Sequence, residues 1–285
     1  MNAYAFPAGG QVPLRPYQWK MFREIFTEWS CGHTNVLAVL PTGMGKARLL
    51  TAVVAENTGG TCVFAHRQEL VYQLCATMNE FKIPFRIIAP SKTRKIIIAA
   101  ILRKQGVCYH DTGAKVGVAG VDTLIKIRSG KDRAMYEKWM ASVTLWVGDE
   151  GHHIVGGTIR EGETFEEAWE RSNKWGKGVL VFRNPRLKGL LPTATPKRGD
   201  GAGMSRESDG CCDVMVQGPT MREGLDMGYL NPYKIYTVPC RVHYEDVKVG
   251  ASGEFVQASL AAAEDLDGAL LGDIIDNYRK YAWGK

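Results

Sequence analysis

The sequence predicts an α/β fold, a mostly parallel sheet flanked by helices, and three observations carry that expectation. Short apolar runs alternate with helix-period stretches along most of the 285 residues. The run Asn35-Val36-Leu37-Ala38-Val39 leads into a glycine-rich turn and then into a helical stretch, Ala47 to Val54. A later apolar run, Val143 to Val147, ends near adjacent carboxylates, Asp149 and Glu150. Such charges are costly beside a core unless they have a task.

Leu14-Arg15-Pro16-Tyr17-Gln18 opens the first helix, with Pro16 suited to its start. Trp19, Met21, Phe22, Ile25, Phe26 and Trp29 recur at helical spacing and mark its core face. Arg15 and Gln18 lie on the first turn, where a glutamine amide matches the N6 and N7 atoms of adenine. A solvated helix residue is the plainer reading of that pair alone.

The turn after the first strand, Leu40-Pro41-Thr42-Gly43-Met44-Gly45-Lys46, has the layout of a phosphate-binding loop. Gly43 and Gly45 allow the backbone to curl its N–H groups toward a polyphosphate. Thr42 and Met44 complete the loop, the following helix points its positive end at the same place, and Lys46 reaches the outer phosphates. The next position, where Ser or Thr would offer a hydroxyl to Mg²⁺, is Ala47. Taken alone, the stretch also fits an ordinary strand-to-helix turn.

A second strand, Thr61 to Ala65, runs into His66-Arg67-Gln68-Glu69-Leu70 at a helix start. A basic residue and free N–H groups there suit a nucleic-acid phosphate, or simply cap the helix. Pro84 to Pro90 reads as a strand, and Ser91 to Lys104 as a helix basic at both ends, whose charges read first as a solvated face. Val116 to Gly120 is the next strand, with Val121-Asp122-Thr123-Leu124 starting a helix and a further amphipathic helix near Lys131 to Ala141.

Within Asp149-Glu150-Gly151-His152-His153, Asp149 is placed to hold Mg²⁺ and Glu150 to orient and deprotonate a water. His152 bridges toward a neighbouring element. Two acids and two histidines also spell a metal site, against which the contiguous run speaks, because it aims the side chains in different directions. Thr164 to Trp175 reads as a charged helix, Val179 to Phe182 as a short apolar run, and Asn184-Pro185-Arg186 as a loop. The strand Leu187 to Leu191 ends in Pro192-Thr193-Ala194-Thr195-Pro196, whose hydroxyls can bond to the acidic strand end or merely cap a turn. Gly199 to Gly203 is a loop, Thr220 to Met227 a helix stopped by Gly228, and Tyr233 to Val238 a last strand. The pattern loosens from Arg241 to Glu254, and a final helix covers Gly268 to Ala282.

Composition sets bounds. At 45% hydrophobic, the chain can bury a full core, and its formal charge of +6 is compatible with a polyanionic partner. The seven cysteines show no C-x-x-C pair or ligand spacing, which points to reduced thiols. The first residues lack a basic segment followed by an apolar stretch, and the longest apolar run, Ile96 to Leu102, is too short to span a bilayer. A soluble, cytoplasmic protein is expected.

The motifs occur together and in one order. Arg15 with Gln18, Pro41 to Lys46, Asp149-Glu150-Gly151-His152 and Thr193-Ala194-Thr195 resemble the adenine-reading motif and motifs I, II and III of superfamily-2 helicases of the DEAD/DEAH type. Ala65 to Leu70 is similar to motif Ia, and Val121 to Leu124 to the Ib region. Leu191 to Arg198 with Asp200-Gly201, then Gly218-Pro219-Thr220 and Gly228-Tyr229-Leu230, most resemble the RadD-like bacterial and phage branch. Three positions depart from the pattern: Ala47, Gly151 where Ala is usual (a small change), and Asp122 where this branch often has Gln.

The resemblance implies a RecA-like phosphate-loop lobe over residues 1–240, with 241–285 a linker and the start of a truncated second lobe, so that a piece of a longer motor protein is expected. It implies ATP and Mg²⁺ as cofactors and nucleic acid, DNA rather than RNA, as partner, in a bacterial or phage-infected cell. Arg15, Gln18, Thr42, Gly43, Met44, Gly45, Lys46 and Ala47 would surround the nucleotide. Asp149 with the metal, Glu150, Lys46 and His152 would carry hydrolysis. Thr193 and Thr195 would couple it to movement, and Arg67 and Thr123 would touch the strand. Two other readings stay open: a catalytically weak helicase-like binding or adaptor module, which Ala47 favours, and a phosphate-loop enzyme acting on a small molecule.

Overall fold

A computed structural model describes residues 12–130, 132–154, 156, 160–182, 184, 187–198, 201–235, 247–248, 256, 258–259 and 269–283. The chain divides into two compact units, one of Met1–Arg198 with Ala202–Leu230, the other of Gly199–Gly201 with Asn231–Lys285. In the first unit α1 (Pro16–Ser30), β1 (Asn35–Val39), α2 (Lys46–Glu56), β2 (Gly60–Ala65), α3 (Gln68–Glu80), β3 (Phe85–Ile88), α4 (Ser91–Gln105) and β4 (Val116–Gly120) follow one another. Then come α5 (Val121–Ser129), α6 (Arg133–Ser142), β5 (Val143–Gly148), α7 (Phe165–Glu170), α8 (Lys174–Lys177), β6 (Lys188–Thr193), β7 (Val214–Gln217) and α9 (Met221–Asp226). In the second unit α10 spans Ala269–Tyr281, close to the expected final helix.

The strands form one sheet in the order β3-β4-β2-β5-β6-β1-β7, with every pairing parallel. β1 and β2 are buried at every residue, as strands covered on both faces must be. Alternation splits their side chains between two cores. Val36, Ala38, Val63 and Ala65 meet α1 to α4, while Leu37, Val39, Cys62 and Phe64 face α5, α6 and the segment carrying α7 and α8. Gly189 on β6 lies where a Cβ would run into the Asn35 side chain and the Trp146 ring, so only glycine lets Trp146 lie flat there.

Several expectations change. The helix expected over Thr164 to Trp175 is two short helices, because Asn173 leaves the helical path and caps α8, its Oδ1 accepting from the Trp175 and Gly176 N–H groups. Val179–Val181 is one 3₁₀ turn packed in the core. Strand β7 lies in a stretch that shows no strand pattern. Tyr233–Ile235 carry no regular structure, and the remainder of that expected strand, 236–238, lies outside the described residues. So do the first residues, 185–186, 199–200 and most of 241–254. Among the described residues, no helix is long and apolar enough to cross a membrane.

Candidate functional site

Because the sheet is parallel, all its strands end at one edge, and the registers align the tips. Val39 is level with Thr193, Phe64 with Gly148, and Ala65 with Gly120. The loops after β1, β6, β5, β2 and β4 therefore open side by side, where α/β sheets receive ligands. Strand order then sorts the predicted residues. Lys46, Thr193 and the acid pair belong to β1, β6 and β5, while Arg67 and Thr123 follow the next two strands, β2 and β4.

The loop after β1 takes the conformation its glycines permit. Gly43 and Gly45 have φ of 83° and 82°, in the left-handed region that a side chain disfavours. A Cβ on Gly43 would also lie 2.9 Å from Leu230 Cδ2. Met44 is fully buried and anchors the loop, leaving Thr42 and Gly43 exposed. Gln18, buried at the start of α1, reaches this loop directly. Its Nε2 donates to the Met44 and Gly45 carbonyls at 3.0 and 3.1 Å, and its Oε1 accepts from its own Arg15 N–H at 2.9 Å. Tyr17 adds a hydroxyl bond of 2.7 Å to the Met44 carbonyl, and Arg15 lies 4.6 Å over the Tyr229 ring. Gln18 thus rivets the loop to α1, a role that its distance in sequence conceals.

Across the edge, Lys46 Nζ lies 2.9 Å from Glu150 Oε1. Glu150 has φ of 54°, uncommon for a residue with a side chain, and this turn aims its carboxylate at the loop. Its other oxygen is 3.5 Å from His152 Nδ1, which lies 2.9 Å from Thr193 Oγ1. The Thr193 hydroxyl donates to the Thr195 carbonyl at 3.0 Å and accepts from the Thr195 N–H at 3.1 Å. With that proton spent, Thr193 accepts from His152, whose Nδ1 carries the hydrogen. Burial, with His153 adding, pushes the His152 pKa down. The imidazole is thereby favoured neutral. The Asp149 N–H donates to the Phe64 carbonyl at 3.1 Å, and burial raises its carboxyl above the usual range, with Lys46 opposing.

Ala47 is exposed at the head of α2, and the nearby Thr51 offers it no replacement hydroxyl, since Thr51 Oγ1 donates to the Ala47 carbonyl at 2.7 Å. Gly151 is more constrained than a small change suggests. A Cβ there would lie 2.6 Å from Leu191 Cβ and 3.0 Å from its Cα, so alanine would push the turn off β6. Among the described residues, no group of three or more His, Cys, Asp and Glu is placed to hold a metal ion. Arg67 and Thr123 lie at the starts of α3 and α5, and Asp122 pairs with Lys174 at 2.6 Å.

A parallel seven-stranded sheet with this glycine-rich loop, acid pair and hydroxyl turn at one edge is an α/β lobe of the phosphate-loop kind. The chain belongs to the family described as "Type III restriction enzyme, res subunit", whose model matches residues 11–198. Among solved structures, it is similar to a nuclease-deletion mutant of the Type ISP restriction-modification enzyme LlaGI in complex with a DNA substrate mimic, at 12% identity and a TM-score of 0.49 over 76% of this chain. The UvsW helicase from bacteriophage T4 matches at 14% identity and 0.44 over 76%, and the Pyrococcus furiosus Hef helicase domain at 19% and 0.40 over 72%. The chain spans 20%, 64% and 37% of the lengths of LlaGI, UvsW and Hef, respectively. No curated protein matches it significantly.

Proposed function

We propose that this lobe binds ATP with Mg²⁺ and serves a nucleic-acid-dependent motor, a helicase or translocase acting on DNA in preference to RNA in the cytoplasm. The carrying observation is the line from Lys46 through Glu150 and His152 to Thr193, which joins the phosphate loop to the turn after β6. The donor set fits a polyphosphate: two left-handed glycines, a helix N-terminus and a lysine converge at one edge. Bound Mg²⁺ would neutralise charge on the β and γ oxygens, with Asp149 on its protein side. In this reading Glu150 takes the proton of the attacking water, and His152 reports the state of Glu150 to Thr193 and Thr195. Arg15 and Gln18 are assigned to the adenine, Gln18 by exchanging the Met44 and Gly45 carbonyls that its amide holds here for the base edge.

Arg67 and Thr123 serve the strand backbone. The lobe is assigned to residues 1–240, of which 231–240 fall in the second compact unit. The run Leu191 to Arg198 and the Gly228-Tyr229-Leu230 turn support placing it in a RadD-like branch. The test is displacement of a fluorescent ATP analogue. ATP should compete better than GTP, Lys46→Ala should abolish binding, and Gln18→Ala should weaken it by about 1–3 kcal/mol while narrowing the ATP preference. Equal competition by ATP and GTP in the unmutated chain would overturn the adenine assignment.

A further inference from the structure

We propose that the His66 ring, backed by Trp175 and His153, is a stacking site for one base of a single-stranded nucleic acid. This rests on the nucleic-acid reading above and goes beyond the backbone contacts assigned to Arg67 and Thr123.

Three rings meet at the tips of β2 and β5. His66 follows the last residue of β2, His153 lies in the turn after the acid pair, and Trp175 belongs to α8. His153 stacks on Trp175 at 5.0 Å between centroids with 15° between planes, and His66 packs at 4.7 Å from Trp175 and 5.4 Å from His153. Rings gathered only to fill a core would be buried, yet His66 is exposed and the other two are half-buried.

The cluster is also held in place. Asn173 Nδ2 donates to the His153 carbonyl at 2.6 Å while its Oδ1 caps α8, which ties the Trp175 backbone to the His153 turn. A base stacking on a ring already fixed by its neighbours meets little ordering cost. Cations neighbour the rings in sequence: Arg67 directly after His66, and Lys174 and Lys177 flanking Trp175 on α8. Lys174 is engaged by Asp122, which joins α8 to the start of α5 beside Thr123. A basic border around π-faces is the pattern that takes up single strands without reading sequence. The rings stand at the junction of β5 and β2, between the acid pair and the two residues assigned to the strand.

The experiment is fluorescence anisotropy with a fluorescein-labelled oligothymidylate and an abasic oligonucleotide of the same length, each over a series of salt concentrations. His66→Ala should weaken oligothymidylate binding about fivefold or more, leave abasic binding unchanged, and leave the salt slope unchanged. His66→Phe should restore binding, whereas His66→Gln should not. Arg67→Ala should weaken both probes and reduce the logarithmic salt slope by about 0.7. Equal effects of His66→Ala on both probes, or no effect on either while the chain binds them, would overturn the stacking site and leave the nucleic-acid reading standing. If the unmutated chain bound neither probe, both readings would fall.

Discussion

Lys46 is bonded to the carboxylate of Glu150, and the two side chains are 16% and 31% exposed. A nucleotide that recruits Lys46 must break that 2.9 Å bond. A hydrogen bond to a charged group contributes about 1.5–3 kcal/mol, and partial exposure of Glu150 reduces the figure to about 1 kcal/mol. Glu150→Gln keeps the shape, removes the charge that holds Lys46, and removes the repulsion between a carboxylate and incoming phosphates. We expect it to bind ATP about fivefold to tenfold more tightly, a gain of roughly 1–1.4 kcal/mol, while losing the base that hydrolysis needs. Titration of a fluorescent ATP analogue at 0.1 M salt, in both variants, measures the gain. Unchanged or weaker affinity would show that Glu150 does not compete with nucleotide for Lys46.

Two further outcomes are expected. Ala47→Thr places a hydroxyl at the head of α2 and should tighten Mg²⁺–ATP binding with little change for metal-free nucleotide; superimposable Mg²⁺ titrations would refute it. Asp213 accepts from the Thr34 and Asn35 N–H groups, each at 2.8 Å, and pairs with Arg206. Burial raises its pKa, but Arg206 and these donors outweigh it and hold the carboxyl well below the usual range. A depressed native pKa gives stability that is complete above the unfolded value near 3.9 and lost as pH falls through the native value. Asp213→Asn should therefore cost about 2 kcal/mol at pH 7 and less at pH 3. Equal losses in thermal unfolding at both pH values would refute that account.

How far the sequence could be read depended on the range of each interaction. The phosphate loop, the acid pair and the Thr193 turn were legible because their chemistry is written in contiguous residues. The destination of the Gln18 amide was not, since its acceptors are the carbonyls of Met44 and Gly45. Strand β7 escaped for a related reason: its four residues form a strand by pairing with β1, and Met215 and Gln217 face solvent rather than a core. The split between α7 and α8 was written in Asn173, a strong cap inside a stretch whose charge pattern reads as one helix. The ring cluster combines residues from three separated segments, and no local pattern announces it.

The pairing of β1 also bears on how the chain folds during synthesis. Val36 has Leu190 on one side and Val214 on the other, so both neighbours of the strand that carries the phosphate loop are made long after it. The β3-β4-β2-β5 half of the sheet draws on residues no later than Gly148 and can close first. Until the chain has been translated beyond Thr193, β1 offers two open edges, and until it passes Gln217 one, a window in which chaperone capture and aggregation compete with native pairing. The candidate site is thus assembled late, and a chain cut before β7 leaves the loop strand unpaired along one side.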